Sequence, residues 1–154
     1  MLHQKLILVA EDNEEEVLLI RRALEKSRLA NPLHVVSTAE DAIAYLMGEG
    51  KFNDRLQYPL PELLILDLQL PGIGALEVLH LLRQHPGLKA IRVVVLASPA
   101  DIRGVNLAYQ FGANSFLVKP VIVQRFLDTI MTMNGYWVWT NPAARSSSCP
   151  SQVA

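Results

Sequence analysis

Cysteine is nearly absent: the 154 residues contain one, Cys149, set in a Ser/Pro-rich run close to the end of the chain. A lone thiol builds no internal disulfide framework, and a reducing, cytoplasmic setting is the expectation. An excess of charge of either sign is also missing. The formal net charge of −1 gives no bulk attraction to nucleic acid or to an anionic membrane. No apolar run approaches the roughly 20 residues needed to cross a bilayer. The stretch 6–10 is too short for a signal peptide and has no small-residue cleavage site. There is no internal repeat. No glycine-rich phosphate loop follows the first apolar run, which leads into Glu11-Asp12. Carboxylates at that position repel a nucleotide's phosphates unless a metal intervenes, so a flavodoxin-type or nucleotide binder is disfavoured. The histidines His3, His34, His80 and His85 are scattered and make no metal-ligand spacing.

What the chain does contain is a globular balance of 51% apolar and 19% charged residues, enough for one domain with a substantial core. Short continuous apolar runs alternate with segments of helical period. Strands are expected at 5–10, 34–36, 63–66, 93–97 and 115–118. Helices are expected at 14–26, 39–47, 76–83 and 101–111, with Ser37 or Thr38 capping the second. A last helix carries Val123, Phe126, Leu127, Ile130 and Met131 on one face. Five strands alternating with five helices predict an α/β fold: a doubly wound, flavodoxin-like parallel sheet of order 2-1-3-4-5. Two segments fall outside this plan. Residues 49–61 read as a structureless surface excursion in preference to a binding loop, and residues 135–154 as an aromatic extension followed by a disordered tail, leaving 5–134 as the domain.

In such a sheet, chemistry collects at the carboxyl ends of the strands. The first strand ends in Glu11-Asp12, the third in Asp67, the fourth in Ala97-Ser98 and the fifth in Lys119-Pro120. Three carboxylates converging from adjacent strands cannot all stay ionised without a cation, and a hard ion such as Mg²⁺ with oxygen ligands resolves the repulsion. Lys119 adds a point charge suited to phosphate. The set forms a cradle for a phosphoryl group with a carboxylate available as nucleophile. Each piece alone also has an ordinary explanation. An Asp after a strand serves as a helix cap, 11–16 is an acidic first turn, and Lys119-Pro120 opens a helix. Their coincidence at the strand ends of one fold is what points to function.

Glu11-Asp12, Leu66-Asp67-Leu68-Gln69-Leu70-Pro71-Gly72 and Lys119-Pro120 resemble the signature of response-regulator receiver domains, the CheY-like family, over residues 5–134. The resemblance implies Asp67 as phosphoacceptor, with Asp12, Glu11 and the Gln69 backbone carbonyl joining Asp67 around Mg²⁺. It implies Lys119 paired with the acyl phosphate, a cis bond before Pro120, and Phe116 as the aromatic switch residue. It further implies a sensor histidine kinase as partner and output through protein contacts or a phosphorelay, the receiver itself not being a dedicated enzyme. The segment 49–61 and the aromatic end are similar to small single-domain regulators paired with phytochrome-type photoreceptor kinases. There a C-terminal extension dimerises, which makes Tyr136, Trp137 and Trp139 candidate homodimer contacts, the alternative being that they pack onto their own domain.

The departures from the pattern are as informative. Ala97 occupies the place of the usual Thr or Ser, with Ser98 one residue late. Adjacent strand residues face opposite ways, so Ser98 substitutes only where the strand has ended or bulged. Gly74-Ala75 stands where the family has Asp-Gly. Ala97 favours a second reading, a degenerate receiver that works as an interaction module without phosphorylation. A haloacid-dehalogenase-like phosphatase, a third class, needs Asp two residues after the nucleophile, where this chain has Gln69.

Overall fold

The computed structural model describes residues 5–132. Five strands alternate with five helices: β1 (Ile7–Ala10), α1 (Glu14–Lys26), β2 (Leu33–Val36), α2 (Ala39–Met47), β3 (Leu63–Asp67), α3 (Ala75–Gln84), β4 (Arg92–Ala97), α4 (Ile102–Gln110), β5 (Ser115–Val118) and α5 (Val123–Thr132). The strands form one parallel sheet in the order β2-β1-β3-β4-β5, as expected from the alternation.

The continuous apolar runs exist because both faces of the sheet are covered. Leu8, Ala10, Leu64, Leu66, Val93 and Val95 face one layer, where α2 and α3 supply Ala42, Leu46, Val78, Leu79 and Leu82. Their neighbours in sequence, Ile7, Val9, Leu63, Ile65, Val94 and Leu96, face the other, against Ile20, Leu24, Phe126 and Ile130 of α1 and α5. Each such burial is worth about 1.5–3 kcal/mol. Within α5, Phe126 and Ile130 are the core residues, whereas Met131 is 53% exposed and leaves the expected face.

Polar side chains cap α1 and α2, whereas Asp101 before α4 makes no side-chain cap bond. Asn13 Oδ1 accepts from the Glu15 and Glu16 amides at the start of α1, and Thr38 Oγ1 accepts from the Asp41 amide at the start of α2.

The segment 49–61 is not structureless. It opens with a 3₁₀ turn, Gly50–Phe52, and buries Phe52. Tyr45, Phe52 and Tyr58 pack ring on ring with centroids 5.1–5.8 Å apart. Arg55 donates to the Tyr45 and Leu46 carbonyls at the end of α2 and to the Tyr58 carbonyl. A cation at a helix C-terminus satisfies orphan carbonyls and opposes the negative end of the dipole. Burial of the Tyr45 hydroxyl pushes its pKa up to about 12, and it donates to the Pro59 carbonyl.

Candidate functional site

Parallel register aligns the strand ends. Ala10 pairs with Leu66 and Ala97 with Val118, so Glu11, Asp67 and Lys119 each stand just past a matched step. Glu11 and Asp67 are buried at 2% and 1% exposure, and Asp12 is exposed. Carboxylate oxygens of Glu11, Asp12 and Asp67 lie within 4.8 Å of one another. Lys119 Nζ closes the group, 2.9 Å from Asp67 Oδ1 and 3.3 Å from Glu11 Oε1. The Gln69 amide donates to Asp67 Oδ1 at 3.0 Å, and the Asn13 amide donates to Glu11 Oε2 at 3.1 Å.

The electrostatics show strain of charge. Burial, then the neighbouring Asp67, raises the Glu11 pKa to about 7, against the Asn13 amide and Lys119. Burial works against the Lys119 ammonium, but its hydrogen bond and charge contact with Asp67, helped by Glu11, prevail and raise its pKa. One ammonium facing three carboxylates leaves two negative charges uncompensated when all are ionised. Glu11 Oε1, although within ion-pair range of Lys119, accepts no hydrogen bond. A buried acceptor without a donor is costly. All-oxygen donors, excess negative charge and one unsatisfied oxygen together fit a hard divalent cation.

The remaining expected residues fall as follows. The Lys119-Pro120 bond is cis. Ala97 is buried as the last residue of β4, and Ser98 lies beyond the strand, half-buried. The strand has therefore ended at Ser98, the condition under which its hydroxyl can face the site. Phe116 is half-buried beside Tyr109, rings perpendicular at 6.2 Å. Among the described residues, no histidine joins the acidic group. His34 meets Tyr45 OH at 3.1 Å and burial lowers its pKa, while His80 is exposed beside Phe111, and His85 Nδ1 accepts from the Gly87 amide. His3, Tyr136, Trp137, Trp139 and Cys149 lie outside the described residues.

Sequence reasoning passed over Asn13, which caps α1 and orients Glu11. An Asn directly before an acidic helical turn was the available signal. It also passed over Glu40, which accepts from the Ile73 amide across 33 residues of chain, a link with no local signature.

The chain is similar to several response regulators of known structure. Response regulator Rcp1 of Synechocystis sp. is 29% identical over 136 residues, 88% of this chain and 90% of Rcp1. The crystal structure of its Mn²⁺-bound form superposes with a TM-score of 0.71, covering 97% of this chain and 99% of that one at 27% identity. The bacteriophytochrome response regulator RtBRR is 34% identical, with a TM-score of 0.80 over 94% of this chain and 89% of its own. The phosphorylated cyanobacterial phytochrome response regulator RcpA is 28% identical, with a TM-score of 0.72 over 97% of this chain and 100% of its own. These matches bear out the likeness to phytochrome-associated regulators. The response regulator receiver domain family matches residues 7–131, and the chain belongs to that family of two-component signalling proteins.

Proposed function

We propose that the protein is a phosphorylation switch whose Asp67 accepts a phosphoryl group from a phosphohistidine of a sensor kinase. In that transfer an Asp67 carboxylate oxygen forms the new P–O bond as the P–N bond breaks, and the imidazole leaves and takes up a proton. The observation that carries the reading is the placement of Lys119 Nζ 2.9 Å from Asp67 Oδ1 with Glu11 and Asp12 alongside. Lys119 is held charged, ready to pair with a phosphoryl oxygen once Asp67 carries the acyl phosphate. The Gln69 amide fixes the Asp67 carboxylate at one oxygen and leaves the other to attack. Glu11, Asp12, Asp67 and the Gln69 carbonyl would hold Mg²⁺. Bound there, the ion would neutralise charge that builds on the transferring group. The Mn²⁺-bound form of Rcp1 and the phosphorylated form of RcpA support both halves of this reading.

A phytochrome-type photoreceptor kinase is the partner that the relatives favour, with output in the cytoplasm through protein contacts or a phosphorelay. Homodimerisation through Tyr136, Trp137 and Trp139 belongs to the same proposal. Ala97 favours the other reading, a module that signals without phosphate. Beryllofluoride, which mimics an acyl phosphate on a carboxylate, separates the two. The switch predicts a protein-bound ¹⁹F resonance that requires Mg²⁺ and is lost in Asp67→Asn. A module predicts no bound resonance in either protein.

A further inference from the structure

The loop that follows Asp67 carries the Gln69 carbonyl, and its near end is held by the Leu68 amide on the Leu96 carbonyl and by the buried Leu70 side chain. Gly74 precedes α3 without a side-chain cap. Its far end is tied to the first turn of α2. The Ala39 amide donates to the Pro71 carbonyl at 3.0 Å, and the Ile73 amide donates to Glu40 Oε2 at 3.1 Å. Between these two bonds Gly72 adopts φ +105°, and a Cβ there would collide with Glu40 Oε1. The loop backbone therefore lies directly against the Glu40 carboxylate, in a conformation open to glycine and rarely to other residues.

We propose that Glu40 is a positioning residue for the metal and phosphoryl site, holding the 69–73 loop through the Ile73 amide so that the Gln69 carbonyl is presented at the Asp67 carboxylate. This rests on the reading of Asp67 as a metal-assisted phosphoacceptor. Glu40 touches neither the metal ligands nor the reacting atoms. It acts through three residues of backbone, on a loop whose other end is fixed by the Gln69 amide on Asp67 Oδ1 and the Leu70 amide on the Asp67 carbonyl.

The role depends on reach and acceptor oxygen, not on charge, and two substitutions separate these. Glu40→Gln keeps the length and an acceptor oxygen without the charge, and Glu40→Asp keeps the charge but falls one methylene short. Mn²⁺ binding is titrated by the EPR signal of the free ion, and exchange of the Ile73 amide is followed by NMR in the same proteins. Glu40→Asp and Glu40→Ala are expected to bind Mn²⁺ about three- to tenfold more weakly, with faster Ile73 exchange, and Glu40→Gln to stay within about twofold of the parent. Equal Mn²⁺ affinity in parent and Glu40→Ala overturns the proposal, whether or not the Ile73 amide is freed. So does a Glu40→Gln protein as weak as Glu40→Ala, since charge would then be the operative property. A parent protein that binds no Mn²⁺ would instead remove the reading of the site on which the proposal stands.

Discussion

Glu11 bears a protonation cost that sets a pH dependence. Its carboxyl titrates near 4.5 in the unfolded chain and near 7 in the fold, because burial and Asp67 disfavour the anion. The folded protein therefore keeps a proton that the unfolded chain has already lost between those values. Metal-free stability falls as pH climbs from about 4.5 to about 7 and loses no more from this group above that. The full shift, from 4.5 to about 7, corresponds to about 3 kcal/mol as an upper bound. Chemical denaturation in EDTA across that window should show the decline, and Glu11→Gln should flatten it. A parent curve that rises through the same window would contradict the assignment. A second residue-scale prediction concerns Asn13. Its side chain accepts two amides of α1 while its own amide orients Glu11. Asn13→Ala should cost about 1 kcal/mol of stability, read from the urea midpoint. Asn13→Ser, which can still cap, should cost less.

Among the elements, strands and helices were readable because their signals are local. Leu63–Asp67 is an unbroken buried run, and α1 spans the expected residues with its acidic first turn and basic last turn. The segment 49–61 was not readable, because its order comes from contacts across the chain. Phe52 packs on Tyr45 of α2, and Arg55 reaches the last carbonyls of that helix. Loop composition carries no trace of such ties. Arg55→Ala should destabilise by about 1–3 kcal/mol through the loss of charge-assisted bonds to carbonyls. Phe52→Ala should cost about 3 kcal/mol, the usual penalty for a buried ring. Thermal melts measure both. Neither change should alter Mn²⁺ affinity by more than about twofold, since the segment lies apart from the acidic cluster and the loop after Asp67 is held by the first turn of α2 instead of the last.

At the scale of the whole molecule, parallel register turns three distant stretches of sequence into one site. Glu11, Asp67 and Lys119 are far apart in the chain, and only the order β2-β1-β3-β4-β5 brings the ends of β1, β3 and β5 to one rim. The site was legible at the level of residue type because acidic and basic residues stand at strand ends in the sequence. Its tuning was not. The Glu11 shift depends on burial, and the Glu40 bond depends on how α2 meets the loop after β3. Both are properties of packing and have no pattern along the chain. No helix among the described residues is long and apolar enough to cross a membrane.

The central claim is that Asp67 is the phosphoacceptor of a metal-dependent switch. Intact mass after incubation with acetyl phosphate tests it directly. The expected result is an adduct of one phosphoryl group, about 80 Da for phosphoryl chemistry of this kind, that requires Mg²⁺ and is absent in Asp67→Asn. An adduct that persists without Mg²⁺ or in Asp67→Asn, or none under conditions that label other receivers, would contradict it.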